Sequence, residues 1–209
     1  MKFRDRDPVR RLIPTRKPTK NWALHKDDLQ TDFNRYCGYC HSYDGYKHTY
    51  FEVDHFVPKD LIRNNGWPIG LTQYTNLVYS CKFCNNSKLN NWPSNSATIY
   101  YRYNKGYIDP CDALFAQQFY RTNKGAIRGK TKLGKWMCKE AFKFDQREKG
   151  IKLLWNKNIL RVVIYELGLR IQRCKYRSRN YMSIKSKLAD LTYKYVQIDN
   201  ELSDYYNQL

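Results

Sequence analysis

Apolar positions recur with three rhythms along this chain, and each rhythm marks a different kind of element. Residues 49–57 are rich in β-formers and predict a strand that carries Asp54 and His55 at its far end. Leu24, Leu29 and Phe33 stand at near-helical spacing and predict a helix over 22–36. The last third steps in alternating fours and threes: Leu160, Ile164, Leu167, Ile171, Cys174, then Ile184, Leu188, Leu191, Tyr195, Ile198, Leu202, Tyr205, Leu209. Such a repeat marks a seam packed against another helix, which predicts a helical hairpin bent at 175–180. A seam for a second copy or a partner is the alternative. Between these segments the pattern predicts a turn at Asp44-Gly45, a loop over 58–70 and a short helix within 81–88. An irregular stretch over 90–103, a loop at 107–111 and a short helix at 113–118 follow. A hairpin of 119–121 with 126–128 and a helix over 132–144 complete the series. The expected class is α+β. The expected parts are an extended arm (1–21), a core (22–106), a hairpin and helix extension (107–150) and a helical hairpin (151–209).

Charge adds a partner to this picture. Among 209 residues, 38 Lys and Arg face 19 Asp and Glu, a formal net charge of +19. That excess favours a polyanion, although charge alone does not separate DNA from RNA, or nucleic acid from an acidic membrane. Nineteen tyrosines set planar side chains among the cations, which suits base stacking; the plainer reading is a basic surface over a Tyr-containing core. Residues 1–21 hold eight Lys and Arg with Pro8, Pro14 and Pro18, so they form an arm that either follows nucleic acid or wraps the domain. The densest basic stretch, 121–157, offers Arg121, Lys124, Arg128, Lys130 and Lys132 as candidate nucleic-acid contacts. A third basic cluster surrounds the bend of the helical hairpin. No run reaches the ~18 apolar residues of a membrane span, and residues 1–20 lack an apolar leader core, so a cytoplasmic protein without a membrane partner is expected.

The cysteines narrow the chemistry. Cys37/Cys40 and Cys81/Cys84 are two pairs of identical spacing, and each can present two thiolates from one tight turn. Together they complete a closed four-thiolate zinc site, structural because no position is left for substrate. Cys111, Cys138 and Cys174 lack such partners and read as ordinary buried cysteines. His25, His41 and His48 read as structural. His55 differs, because Asp54 precedes it at a strand end and Asn85 follows the second cysteine pair. A carboxylate with an amide oxygen is a hard donor set, suited to Mg²⁺ or Mn²⁺ and poor for zinc.

Cys37-x-x-Cys40, Asp54-His55, Asn76 and Cys81-x-x-Cys84-Asn85-x-x-Lys88 together resemble the zinc-containing HNH endonucleases. The resemblance implies a ββα-metal core with a structural four-cysteine zinc site, followed here by a mainly α-helical C-terminal region. It implies metal-assisted hydrolysis of nucleic-acid phosphodiesters, with DNA favoured and RNA left open. In that pattern His55 is the general base, Asp54 and Asn85 hold the catalytic divalent ion, and Asn76 orients His55 without touching the metal. Lys88 is a candidate phosphate contact. The last metal position carries Asn where many members carry His, and the loop after Pro58 lacks their Gly-rich segment. Residues 107–111 and 134–137 are also similar to small HNH proteins encoded beside an ATPase in bacterial defence modules of the Septu type. That likeness implies an anti-phage role and an ATPase-type partner on the C-terminal helices. The alternatives are a zinc-stabilised nucleic-acid binder without catalysis, and a nuclease subunit inactive without its partner.

Overall fold

The structure is a computed structural model describing residues 1–16 and 20–207. Pro18 and Leu209, assigned above to the arm and the seam, lie outside the described residues. The chain forms two compact units, Met1–Thr122 with Ile127–Gln146, and Asn123–Ala126 with Arg147–Leu209. Small two-stranded sheets and short helices make the first unit, and long helices make the second.

The first unit is built on an antiparallel pair, β1 (Phe51–His55) and β2 (Leu77–Cys81), with His55 opposite Leu77. Every residue of β2 is buried, so the strand that reads Leu-Val-Tyr-Ser-Cys is covered on both faces. It runs directly into a helix, α3 (Lys82–Lys88), giving the ββα order that the resemblance implied. Two expectations are corrected here. The helix expected over 22–36 is a 3₁₀ turn (Trp22–His25) followed by α1 (Lys26–Asp32), and it stops there because Asn34 and Arg35 adopt left-handed φ values of 51° and 64°. The loop expected over 58–70 contains α2 (Lys59–Asn65). Pro58 sets its entry and Gly66, at φ 61°, ends it, so Asn64-Asn65-Gly66 is a helix terminus rather than a loop.

After α3 come the hairpin β3 (Tyr101–Arg102) and β4 (Lys105–Gly106), helix α4 (Ala113–Gln117), and the pair β5 (Phe119–Arg121) and β6 (Ile127–Gly129). The helix expected over 132–144 is a short α5 (Lys132–Trp136) continued by a widened π turn, Met137–Ala141. An aromatic chain holds these parts to the ββα core. Trp92 stacks on Tyr107 at 5.3 Å, Tyr107 meets Phe142, and Phe142 stacks on both Tyr39 and Phe144. Offset and edge-on pairs of this kind add to the area they bury.

The arm wraps the first unit. Phe3 is buried against Phe115 and Phe119. Arg4 donates to the Pro110 carbonyl (2.7 Å), and Arg10 donates to the Leu77 carbonyl (2.7 Å) and to both oxygens of Asp109. Arg11 pairs with Asp28 and Asp32. Arg4, Arg10 and Arg11 therefore satisfy backbone and carboxylate oxygens of the domain, which favours the wrapping reading for residues 1–16.

The second unit is dominated by α6 (Lys149–Gln172) and α7 (Arg179–Asn207), packed against each other. On α7 the protected positions include Ile184, Leu188, Leu191, Tyr195, Ile198, Leu202 and Tyr205, the seam expected from the repeat. Among the described residues no helix is long and apolar enough to cross a membrane.

Candidate active site and metal centre

Cys37, Cys40, Cys81 and Cys84 converge as two buried turns. Their four sulfurs all lie within 4.8 Å of one another, and Cys40 Sγ is 3.7 Å from Cys81 Sγ. A tetrahedral zinc with Zn–S near 2.3 Å would separate its sulfurs by about 3.8 Å, so the cluster fits the ion. Ser42 Oγ sits 3.1 Å from Cys40 Sγ, placing a hydroxyl beside the thiolates. Gly38 is required in the first turn, because a Cβ there would stand 2.7 Å from the Phe33 ring. Burial pushes the Cys84 thiol up, so thiolates at this spot need a cation among them.

The second cluster lies along β1, α3 and the turn between β1 and α2. One groove is lined by Trp22, Asp54, His55, Lys59, Asn85 and Lys88, among others. Neighbours on a strand normally face opposite sides; Asp54 and His55 both reach the groove because β1 ends at His55 and the chain bends there.

His55 is anchored at one nitrogen. Its Nε2 lies 2.8 Å from the Leu71 carbonyl, which can only accept, so Nε2 carries the proton and Nδ1 is the unprotonated nitrogen. Burial lowers the imidazole pKa below its usual value, against the pull of the Leu71 carbonyl and Asp54, and keeps the ring neutral at pH 7. The edge of Trp22 packs on the ring at 4.9 Å, and the Lys59 ammonium sits over Trp22 at 5.1 Å.

Asn76, immediately before β2, clamps the segment that follows His55. Its Oδ1 accepts from the Val57 N–H (2.8 Å), its Nδ2 donates to the Val57 carbonyl (3.2 Å), and its own carbonyl accepts from the Phe56 N–H (2.8 Å). Asn76 does not line the groove.

Asp54 is buried, and its carboxylate accepts from the Tyr39 hydroxyl at 2.5 Å. The Lys88 ammonium lies 3.3 and 3.2 Å from its two oxygens and donates to the His55 carbonyl at 2.7 Å. A carboxylate offers about four acceptor directions, and these contacts do not use all of them. Asn85 donates from Nδ2 to Glu52 (2.9 Å), which assigns the amide and leaves Oδ1 as its acceptor end. Asp54 and Asn85 are hard donors on one groove, a set that fits Mg²⁺ or Mn²⁺ with waters.

Two expected nucleic-acid contacts are corrected. Lys88 is 1% exposed and is consumed by Asp54 and the His55 carbonyl. Arg121 is 2% exposed and donates to the carbonyls of Phe3 (2.9 Å) and Cys40 (2.8 Å), tying the arm to the first cysteine turn. Both charges are spent on internal oxygens, so neither reaches a phosphate. Lys124, Arg128, Lys130 and Lys132 are exposed. Sequence reasoning missed Tyr39, Glu52 and the Leu71 carbonyl. Glu52 carried a readable signal, because it stands two residues before Asp54 on the same strand face; the other two depend on chain folding alone.

The family model described as HNH endonuclease matches residues 37–91, a span that holds both cysteine pairs, Asp54, His55, Asn76, Asn85 and Lys88. The chain carries an HNH endonuclease domain. No curated protein and no solved structure matches the chain significantly. The HNH domain supports nuclease activity and, with it, binding of nucleic acid. Its four-cysteine cluster is a candidate zinc site, and HNH nucleases use divalent metals.

Proposed function

We propose that this protein is a metal-dependent endonuclease that hydrolyses phosphodiester bonds in nucleic acid, DNA being the favoured substrate. The observation that carries the reading is the anchoring of His55. With Nε2 spent on the Leu71 carbonyl, a neutral imidazole keeps Nδ1 unprotonated, and His55 lines the same groove as Asp54 and Asn85.

In this reading His55 Nδ1 takes a proton from the water that attacks phosphorus, the step for which a base near neutrality is best matched. Asp54 and Asn85 would hold Mg²⁺ or Mn²⁺, which would supply charge stabilisation to the phosphate and the leaving 3′ oxygen. Tyr39 and Lys88 orient the Asp54 carboxylate, and Glu52 fixes the Asn85 amide with Oδ1 as its acceptor end. Asn76 holds the Val57 segment and so the direction of the His55 ring. Zinc on Cys37, Cys40, Cys81 and Cys84 would fasten the start of the domain to its end. Arg128, Lys130 and Lys132 are exposed cations suited to phosphate contact, as is Lys124.

Cleavage of labelled single- and double-stranded DNA and RNA with Mg²⁺ or Mn²⁺ tests this reading, with His55→Ala beside the wild type. His55→Ala should lose cleavage while keeping its zinc and its melting curve; undiminished cleavage by that variant would remove His55 from the chemistry. The competing reading is a zinc-stabilised binder without catalysis. One feature favours it, the Lys88–Asp54 pair, which already neutralises the carboxylate. Wild-type protein that binds but cleaves nothing with either metal would decide for it. The setting we favour is a cytoplasmic anti-phage effector whose α6–α7 hairpin meets an ATPase-type partner, a reading supported by the likeness at residues 107–111 and 134–137. Co-purification with the neighbouring gene product tests that setting.

A further inference from the structure

The β3–β4 hairpin places an unusual residue at its tip. Tyr103 and Asn104 connect the two short strands with φ values of 49° and 61°. Positive φ at both central positions is the primed turn that a two-residue hairpin prefers, and Asn-Gly is its usual occupant. A tyrosine at the first of these positions suffers Cβ crowding that Gly lacks and that Asn offsets by local hydrogen bonding of its side chain. Nothing within the domain recovers that cost, because Tyr103 is 93% exposed. Tyr101 is 48% exposed beside it, and the exposed Arg102 and Lys105 flank the tip with positive charge.

The root of the hairpin packs beside the end of β1. Tyr100 packs edge-on against Phe56 at 5.0 Å, and Phe56 directly follows His55. Its carbonyl accepts from the Tyr107 N–H at 2.8 Å. Gly106 makes this closure possible, since at φ 125° a Cβ would lie 2.3 Å from the Tyr100 oxygen. Three residue steps separate Tyr100 from Tyr103, at most about 10 Å of chain, on the order of three base-pair steps at 3.4 Å each.

We propose that this hairpin engages the substrate, with Tyr103 stacking on an unpaired base near the scissile phosphate and Arg102 and Lys105 holding the flanking phosphates. A planar ring fixed on a rigid turn between two cations matches what an unstacked base and its backbone present. A uniform duplex offers no free base face, so the substrate class is nucleic acid with unpaired nucleotides at the cleavage site. The inference rests on the nuclease reading for the place of cleavage.

The full-length, zinc-loaded His55→Ala protein serves as the parent, so that binding is read apart from cleavage. It is titrated with 2-aminopurine oligonucleotides as single strands, bulged duplexes and uniform duplexes, each in DNA and RNA. Tyr103→Ala should weaken single-strand and bulge binding about 5- to 100-fold, the loss of one base–aromatic stack, and leave uniform-duplex binding unchanged. Tyr103→Phe should bind as the parent does. Tyr103→Gly should lose affinity like Tyr103→Ala while its melting temperature holds or rises, which separates lost stacking from lost folding. Equal weakening on every substrate, or on none, overturns the proposal. Should the stacking signature hold while wild-type protein never cleaves, the nuclease reading fails and the hairpin assignment stands. Should the wild type cleave while binding is indifferent to Tyr103, the hairpin assignment fails and the nuclease reading stands.

Discussion

Replacing Lys88 by Met probes the least expected feature of the site, a lysine buried against the carboxylate of Asp54. The Nζ–Oδ2 distance is 3.2 Å, and the two side chains are 1% and 7% exposed, so solvent screens the pair little. At that separation and an effective dielectric of about 20, the attraction is about 5 kcal/mol. Removing the ammonium also ends its bond to the His55 carbonyl. Against this, the chain no longer bears the desolvation of the lysine, the burial that lowers its pKa. Breaking one side of a buried pair costs about 3–5 kcal/mol, because the other charge is stranded. At roughly 2–4 °C per kcal/mol for a chain of this size, the melting temperature should fall by about 10 °C. The measurement is a thermal melt in zinc-replete buffer without Mg²⁺ or Mn²⁺. Asp54→Leu combined with Lys88→Met should recover most of the loss, since neither charge then remains buried. A Lys88→Met protein melting within about 2 °C of wild type, less than roughly 1 kcal/mol, would refute the pairing. So would a double variant whose loss equals the sum of the single losses. Adding Mn²⁺ should raise the melting temperature of Lys88→Met more than that of the wild type, because an ion on Asp54 replaces the missing cation.

Other outcomes follow from the same geometry. Asn76→Ala removes two bonds to Val57 and leaves a buried N–H and carbonyl unpaired, so about 1–3 kcal/mol of stability should be lost together with cleavage rate; a variant with wild-type turnover would free His55 from that clamp. Cys81→Ser should lower the zinc content measured by a chromogenic chelator and depress the melting curve, whereas full zinc occupancy would dissociate the metal from this cluster. Neutralising Arg128, Lys130 and Lys132 together should weaken nucleic-acid binding and flatten its salt dependence by about 0.9 in the log–log slope for each phosphate no longer neutralised. An unaltered slope would place the binding surface elsewhere.

Much of the scaffold was legible in the chain. The seam of α7 could be read because a heptad-like repeat reports one buried stripe whatever lies across from it, and the protected positions follow it. The cysteine pairs were legible because their spacing alone dictates a turn with two thiols on one side. Helix ends were not. Asn34 and Arg35 stop α1 with left-handed φ that their types permit without requiring, and Asn64-Asn65-Gly66 serves a loop or a helix terminus equally well until packing chooses.

The sequence by itself determined the kinds of donor present and their order: four sulfurs in matched pairs, an acid–histidine dyad at a strand end, and asparagines before β2 and on α3. Those follow from local rules, because spacing and residue type act within a few positions. Only the tertiary structure decided what each charge does. Lys88 and Arg121 look in sequence like any other cation in a basic protein, and only burial beside Asp54 and the Cys40 carbonyl turns them inward. The Leu71 carbonyl, sixteen residues from His55, determines which imidazole nitrogen stays free to act as a base. The physical reason is common to all three. Desolvation and hydrogen bonding depend on what surrounds a group in space, and those surroundings come from segments far apart along the chain.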